Sequence, residues 1–297
     1  MIPGKILLFG EHILLKGAEA LVIPSTRYGG EWKAGGHLPN ISALQMNLSE
    51  FALYLQKGDL SQYFDSQAFS KDLAAGLYFV SDIPTGYGAG SSGAVTAAVY
   101  RRYGLQKQTA KALPAADYLS FLKSLFARAE SFFHGTSSGI DPLICYVNRP
   151  IYLGADKQLK TVTVNPLTDY QLFLLDTGIR RKTEPFVKIF LNKWENPSYA
   201  DKLTEDLFPL NHTCIQAYIT GNGDELSQSF AAVSELQYEY FSEMIPADFR
   251  QIWQQGLNGG EYKLKLCGAG GGGFFLGITA DFARLKANLS PYAIHKI

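Results

Sequence analysis

The sequence contains little cysteine, and neither positive nor negative charge is in excess. Each of these two features argues against a class of protein. Its three cysteines are far apart and follow no metal-ligand spacing, so they predict reduced, buried thiols instead of a disulfide framework or a zinc site. Its 27 basic and 27 acidic residues cancel, so no global field would draw the chain to nucleic acid or to an anionic membrane. The cysteines are Cys145, Cys214 and Cys267.

Long hydrophobic runs are also missing. No apolar stretch reaches the length of a transmembrane helix, and the short run Ile6–Phe9 is followed at once by Glu11 and His12, unlike a secretory signal. These features predict a cytoplasmic protein that binds neither membrane nor nucleic acid. The chain of 297 residues is 46% hydrophobic, which is enough for a large folded core.

Short apolar runs alternate with helical patterns, which indicates an α+β protein. We predict two lobes, residues 1–160 and residues 161–297, the second largely helical before two closing strands. The predicted strands include Lys5–Phe9, Lys263–Leu266 and Phe274–Ile278, and the predicted helices include Lys71–Tyr78, Ser91–Tyr103 and Asp117–Phe133.

The segment Pro84–Ser92 is a glycine-rich loop that leads into a predicted helix. Its alternating glycines let backbone N–H groups approach an anion, and the helix directs its positive dipole end at the same point. A serine hydroxyl there is a suitable oxygen ligand for Mg²⁺. The alternative is a flexible turn before a serine-capped helix. The segment lacks the Walker lysine, so it predicts a different phosphate loop.

A second glycine run, Gly268–Gly273, lies between the two closing strands. A tight hairpin turn needs one or two glycines, and this run has five in six residues. The excess predicts that the backbone closely approaches a ligand or another loop.

Two carboxylates each allow two interpretations. Asp141 precedes Pro142, so it is either the N-cap of a helix or a functional carboxylate. Glu130 borders the apolar face of its helix, so it is either an edge residue in water or a partly buried ligand.

Three blocks in this order resemble the GHMP kinases: PGKILLFGEH near the start, PTGYGAGSSGA in the middle and KLCGAGGGGFF near the end. The middle block has the family spacing P-x-G-x-G-x-G-S-S. It departs from the family at Ala89, where leucine is usual, and at Gly93, where alanine is usual. The resemblance implies a two-lobed α+β fold with the active site between the lobes.

Within this family the sequence is most similar to the mevalonate kinases. HGTSSGID resembles their H-G-x-P-S-G-x-D segment with Ser137 in place of proline, and KLCGAGGGG resembles K-L-T-G-A-G-G-G-G with Cys267 in place of threonine. DTGIRRKT resembles their D-T-x-x-x-R-x-T segment.

The resemblance implies ATP and Mg²⁺ as cofactors and gives roles to individual residues. Asp141 is the implied catalytic carboxylate and Lys5 its cationic partner, while Ser92 and Glu130 hold Mg²⁺. The implied ATP phosphate site comprises Pro84, Gly86, Gly88, Ala89, Gly90, Ser91 and Ser92, and the implied acceptor pocket comprises Glu11, His12, Ser138 and Thr183.

The expected acceptor is a small hydroxy acid, with mevalonate first. Its carboxylate needs a cation or donors, and the candidates are His12, Arg180, Arg181 and Lys182. Three alternatives stay open: a GHMP kinase for phosphomevalonate or a sugar, a related decarboxylase, and a nucleotide-binding regulator without catalysis. The small-molecule substrate is the expected partner, and the sequence leaves room for a homodimer.

Overall fold

The computed structural model describes residues 1–35, 43–105 and 113–297. Within these residues, none of the helices combines the length and hydropathy that crossing a membrane requires. The chain forms two compact units, each assembled from separate segments. The first contains Met1–Lys5, Pro24–Pro84 and Ala89–Arg149, and the second contains Ile6–Ile23, Thr85–Gly88 and Pro150–Ile297.

The first unit packs helices beside strands around an aromatic core that includes Phe51, Phe69, Tyr100 and Phe126, each 0% exposed. The second half of strand β2 (Ala20–Ala34) pairs antiparallel with β3, and strand β1 (Ile2–Phe9) begins in this unit. Its other elements are β3 (Leu77–Ser81), α1 (Ala43–Leu55), α2 (Ser66–Ala74), α3 (Ser91–Tyr103), α4 (Ala115–His134) and α5 (Ile140–Val147).

The second unit contains the antiparallel pair β4 (Ile151–Leu153) and β5 (Leu159–Thr161), with β4 paired to the start of β2. A second, four-stranded sheet has the order β7-β8-β6-β9, and helices pack against it. Its strands are β6 (Gln171–Asp176), β7 (Tyr262–Leu266), β8 (Phe274–Thr279) and β9 (Ile294–Lys296), and the helices are α6 (Glu184–Trp194), α7 (Pro197–Lys202), α8 (Phe208–Thr220), α9 (Gly223–Tyr240), α10 (Ala247–Gly259) and α11 (Phe282–Asn288).

The predicted α+β class is confirmed, and α3 has the predicted bounds. The predicted helix Lys71–Tyr78 is wrong at its end, because α2 stops at Ala74 and Leu77 begins β3. Gly76 has φ 88° just before this strand, and β3 is stabilised by its ladder with β2, which is distant in sequence. The two units are discontinuous in sequence, whereas the prediction used one boundary after residue 160.

Candidate active site

An ion pair between Lys5 and Asp141 is the centre of a charged cluster in the first unit. Strand β1 carries Lys5 and the first turn of α5 carries Asp141, and Lys5 Nζ lies 3.0 Å from Asp141 Oδ1. The side chain of Lys5 is 11% exposed and that of Asp141 is 33% exposed. The lysine is therefore mostly enclosed, while the carboxylate remains reachable from solvent.

The glycine-rich loop makes this arrangement possible. The Lys5 N–H donates to the Ala89 carbonyl at 2.9 Å, which holds β1 against the loop. Gly90 has φ 81°, and a Cβ built there would lie 2.8 Å from Lys5 Cγ. Gly90 thus adopts a left-handed conformation that suits glycine and leaves room for the lysine side chain.

Two predicted caps are wrong, and the corrections clarify what the side chains do. Gly90 occupies the N-cap of α3, so neither Ser91 nor Ser92 caps that helix. Gly139 occupies the N-cap of α5, and Asp141 is the second helical residue. The carboxylate of Asp141 is therefore engaged by Lys5 and is not needed to cap α5.

Ser92 and Glu130 form a second polar group in the first unit. The Ser92 hydroxyl donates to Glu130 Oε1 at 2.8 Å, and the Ser137 hydroxyl donates to Glu130 Oε2 at 2.5 Å. Glu130 is 4% exposed, so its interpretation as an edge residue in water is wrong. Burial raises the pKa of Glu130 to about 7, and the charge of Asp141 adds to the rise.

Ser137 and His134 belong to this group, and the sequence reasoning gave neither a role. In the segment HGTSSGID, Ser137 stands where the mevalonate kinases usually have proline. Its hydroxyl is the second hydrogen-bond donor to Glu130. His134 Nε2 lies 2.9 Å from the Ser92 hydroxyl oxygen. The spacing of Glu130 and His134, four residues apart at the end of α4, placed both on one helix face and was the available signal.

Gly93, the other departure from the family pattern, lies where α3 approaches α5. A Cβ built on Gly93 would lie 2.8 Å from the Asp141 carbonyl carbon and 2.8 Å from the Pro142 nitrogen. Both neighbours are backbone atoms, so they cannot rotate away. The absence of a side chain at Gly93 lets α3 pass close to the backbone that carries Asp141.

We expect Gly93→Ala, which restores the usual family residue, to destabilise the protein by about 1–3 kcal/mol, as overpacking does. Glycine to alanine in a helix ordinarily stabilises by about 0.5–1 kcal/mol, so the sign is reversed here. Urea unfolding measures the difference. Gly259→Ala is the matched control, because no atom lies within 4 Å of its added Cβ. A Gly93→Ala protein as stable as its parent would contradict the close contact.

In the second unit, Arg181 connects the loop segment Thr85–Gly88 with the second glycine run. Its backbone N–H donates to the Gly86 carbonyl at 3.0 Å, and its guanidinium lies where side chains at Gly88 and Gly268 would stand. The guanidinium also donates to the Thr183 hydroxyl. Arg180 and Lys182 are exposed, whereas Arg181 is half-buried. Of these three cations, Arg181 is the one whose guanidinium lies beside two of these glycines, Gly88 and Gly268.

Glu11, an expected acceptor residue, is fully engaged inside the second unit. Its carboxylate pairs with Lys265 Nζ at 2.5 Å, and both side chains are 1% exposed. Lys265 Nζ also donates to the carbonyls of Leu8 and Leu266. Burial raises the pKa of Glu11 although Lys265 opposes the rise. The pair holds the segment that follows β1 and so fixes the position of the neighbouring residue His12.

The remaining predicted residues lie at the ends of the elements named above. His12 is buried in the second unit, and its Nε2 lies 3.1 Å from the Ala269 carbonyl oxygen. Ser138 is exposed before α5, and its hydroxyl oxygen accepts the Ile140 N–H at 3.4 Å. Pro84 and Ser91 are half-buried at the two ends of the loop, and Thr183 is exposed beside Arg181.

The oxygen donors of Ser92 and Glu130 fit a hard cation. Mg²⁺ usually takes one or two protein oxygens and completes its shell with water and substrate phosphates. Across residues 1–35, 43–105 and 113–297, no group of three or more His, Cys, Asp or Glu side chains could hold a metal. The Ser92 hydroxyl and the Glu130 carboxylate would supply two oxygen ligands of an Mg²⁺ ion, and the rest of its shell would come from water or a ligand.

Comparison with known proteins identifies the fold. A mevalonate kinase of Archaeoglobus fulgidus is 24% identical over 284 residues, which cover 93% of this chain and 90% of that protein. The crystal structure of L. major mevalonate kinase in complex with R-mevalonate matches with a TM-score of 0.67 at 21% identity, covering 99% of this chain and 94% of that one. The fold is that of the GHMP kinases.

A kinase with a different substrate has a similar fold. Streptococcus pneumoniae phosphomevalonate kinase, in complex with phosphomevalonate and AMPPNP, matches with a TM-score of 0.63 at 15% identity and covers 99% of this chain and 98% of that one. No protein-family model matches the chain. The resemblance to GHMP kinases that was read from three short blocks is confirmed, and it extends over nearly the whole chain.

Proposed function

We propose that this protein is an ATP-dependent kinase that phosphorylates a hydroxyl group of a small molecule, with mevalonate as the first candidate. The observation that carries the proposal is the grouping of Lys5, Ser92, Glu130 and Asp141 in the first unit. Phosphoryl transfer needs positioned charges and a base more than covalent chemistry. A lysine–carboxylate pair beside an oxygen metal site supplies these elements.

The loop and the first turn of α3 would hold the ATP phosphates. Backbone N–H groups in the first turn of a helix have no partner within that helix, and the helix dipole favours an anion there. We assign phosphate contacts to the N–H groups of Gly88–Ser92. Ser92 and Glu130 would hold Mg²⁺, which when bound neutralises charge that develops on the phosphates.

Asp141 and Lys5 deal with the proton of the acceptor hydroxyl and with the negative charge that develops during phosphoryl transfer. Asp141 orients the hydroxyl of the acceptor and takes its proton at a carboxylate oxygen, as a general base. Lys5 holds Asp141 at 3.0 Å and stabilises negative charge as it develops. Because the side chain of Lys5 is largely enclosed, solvent screens its positive charge only weakly, and the charge interacts strongly with nearby negative groups.

The acceptor carboxylate is assigned to Arg181. A guanidinium binds a carboxylate with two parallel hydrogen bonds, and Arg181 lies beside Thr183, which the resemblance places in the acceptor pocket. Arg180 and Lys182 are exposed, and Arg180 approaches the glycine-rich loop only through its Cβ, beside Gly86. His12 is neutral near pH 7, because burial lowers its pKa to about 4, so it is not the cation that binds the carboxylate.

The decisive experiment measures ADP release from ATP and Mg²⁺ with a panel of acceptors. The panel contains mevalonate, phosphomevalonate, galactose and homoserine, and diphosphomevalonate is included with detection of carbon dioxide. We expect mevalonate to give the largest kcat/KM. Turnover of another acceptor in its place would assign another specificity within the fold, and binding of ATP without turnover of any acceptor would favour a regulator.

We expect Ser92→Ala to lower kcat and to raise the Mg²⁺ concentration needed for half-maximal rate, because it removes one proposed metal ligand. The KM for the acceptor should change less than these two quantities. Initial rates measured over a range of Mg²⁺ concentrations provide the check. Ser91→Ala is the matched control, since it removes a hydroxyl from the same helix turn. Unchanged kinetics in Ser92→Ala would remove this residue from the metal site.

Glu130→Gln should change stability and activity in opposite directions. The pKa of Glu130 is raised from 4.5 to about 7, so its ionised form destabilises the folded state as the pH rises through 7. Without metal at pH 8, we expect the variant to be more stable than its parent by about 1–3 kcal/mol.

This advantage of Glu130→Gln should disappear below pH 4.5, where the carboxyl is protonated in both states. Urea unfolding in EDTA at several pH values tests the trend. Mg²⁺-dependent turnover should fall at least about tenfold, as for other interactions made in the transition state. If the parent and Glu130→Gln were equally stable at pH 8, ionisation of Glu130 would not destabilise the folded protein, and this prediction would be wrong.

A further inference from the structure

Tyr87 is the only aromatic residue of the glycine-rich segment Pro84–Ser92. It stands at a position that the family spacing P-x-G-x-G-x-G-S-S leaves open. The residues on either side, Gly86 and Gly88, have φ 81° and φ 69°. A glycine loses more backbone freedom than any other residue when it is ordered. A loop of this composition therefore needs an anchor if it is to hold one conformation before a ligand binds.

The ring of Tyr87 packs on the first residue of β8, within the second unit. Its centroid lies 5.0 Å from the centroid of the Phe274 ring, and the two planes meet at 61° in an edge-to-face arrangement. An aromatic pair of this geometry is favourable beyond the area that it buries. Phe274 is 3% exposed and pairs with Asp176 in the four-stranded sheet. The partner of the Tyr87 ring is therefore fixed by the sheet.

The backbone of Tyr87 lies against Gly273, the last residue of the second glycine run. A Cβ built on Gly273 would lie 2.8 Å from the carbonyl oxygen of Tyr87 and 3.2 Å from its Cα. Gly273 is itself held in place, because its carbonyl oxygen accepts the Thr177 N–H at 3.0 Å and the Thr177 hydroxyl at 2.7 Å. The absence of a side chain at Gly273 thus lets the backbone of Tyr87 rest on a fixed surface.

Main-chain hydrogen bonds hold the loop on both sides of its tyrosine. Before the tyrosine, the Gly86 carbonyl accepts the Arg181 N–H at 3.0 Å. After it, the Ala89 carbonyl accepts the Lys5 N–H at 2.9 Å. The tyrosine and Gly88 lie between these two points, and the Gly88 N–H is the first of the phosphate contacts assigned above. The aromatic contact is therefore placed to hold Gly88 in the conformation that meets a phosphate.

We propose that Tyr87 is a positioning residue that orders the glycine-rich loop before ATP binds, because its ring packs on Phe274 and its backbone on Gly273. This inference rests on the proposed kinase function and adds to it a residue that sets nucleotide affinity. If only a fraction of the molecules has the loop ordered, the apparent dissociation constant rises in inverse proportion to that fraction. Tyr87 thus increases the affinity for ATP and leaves the rate at saturating ATP nearly unchanged.

The test measures the binding of AMPPNP with Mg²⁺ by calorimetry. Tyr87→Ala removes the ring and should weaken binding roughly 3- to 30-fold, while kcat at saturating ATP changes less. Tyr87→Phe keeps the ring and should keep nearly the parental affinity. Tyr63→Ala is the matched control, because the Tyr63 ring also meets a phenylalanine, Phe121, at 61°. An equal loss of affinity in this control would contradict a specific role of Tyr87.

A measurement on the unaltered protein covers the case in which Tyr87→Ala does not fold. Nitrogen-15 relaxation without nucleotide should give the Gly86 and Gly88 amides order parameters of about 0.85, the value of rigid backbone. Values below about 0.6 would overturn the proposal.

Parental AMPPNP affinity in Tyr87→Ala, or an equal loss of affinity in Tyr87→Phe, would also overturn the proposal. If the unaltered protein did not bind AMPPNP, both this inference and the proposed function would be wrong. AMPPNP binding that depends on the Tyr87 ring, without phosphorylation of any acceptor, would instead support the inference and contradict the proposed kinase function.

Discussion

Asp141→Asn is expected to lower kcat by roughly 10²–10⁴-fold, the usual contribution of a positioned general base. Asparagine has nearly the same shape, but its amide cannot take the proton of an acceptor hydroxyl. The fold should survive, because Gly139 and not Asp141 caps α5. The lost favourable interaction of a carboxylate with the helix dipole costs only about 0.3–1 kcal/mol.

The measurement combines steady-state kinetics, nucleotide binding and urea unfolding of the Asp141→Asn protein. We expect nearly normal ATP affinity, a small change in stability and almost no turnover. Lys5→Met tests the other half of the ion pair and should also lower kcat, with less effect on ATP affinity. A stable Asp141→Asn enzyme with parental turnover would refute the assignment of the base and leave the fold unaffected.

Lys265→Met is expected to give the largest loss of stability, about 3–5 kcal/mol, which is the typical cost of breaking a buried ion pair. Lys265 and Glu11 are each 1% exposed, and the lysine also serves two backbone carbonyls. Removing it leaves a buried carboxylate and two carbonyl oxygens without their donor. Urea unfolding at pH 7 measures the loss, and Lys286→Met at an exposed position is the control.

The pH dependence of Lys265→Met follows from Glu11. Burial already raises the pKa of this carboxyl above 4.5, and loss of the lysine raises it further. The folded variant therefore favours the protonated form and becomes less stable as the pH rises. Adding Glu11→Leu should restore much of the stability at pH 7, because it removes the unpaired charge. A Lys265→Met protein that loses less than about 1 kcal/mol at pH 7 would contradict the buried pair.

The parts of the fold that local chemistry controls could be predicted from the sequence. Helix α3 has the predicted bounds, which came from two serines at its start, a body rich in alanine and valine, and Gly104 just after its end, although Gly90 is its N-cap. Strands β7 and β8 were recognisable as apolar runs on both sides of a glycine segment. Strand β3 was missed because its stability comes from the pairing of Leu77–Ser81 with β2, about 45 residues earlier in the chain.

The residues of the candidate site that belong to a sequence motif could be predicted, whereas contacts between residues distant in sequence could not. Lys5, Ser92, Glu130 and Asp141 were named from a resemblance, and the structure brings them together in one unit. The partner of Glu11 was missed, because Lys265 lies 254 residues away in a strand whose alternation suggests a solvent-facing lysine. No local pattern reveals that two opposite charges will be buried together.

The three buried thiols give this protein its own reporters of local opening. Cys145 lies beside Gly90, Cys214 lies in α8 beside Ser229, and Cys267 follows β7. Burial raises the pKa of Cys145 and of Cys214, and only the thiolate attacks an electrophilic thiol reagent, so labelling requires exposure. The labelling rate of each cysteine thus measures how often its own region opens, which separates loosening around the glycine-rich loop from unfolding of the other unit without any introduced probe.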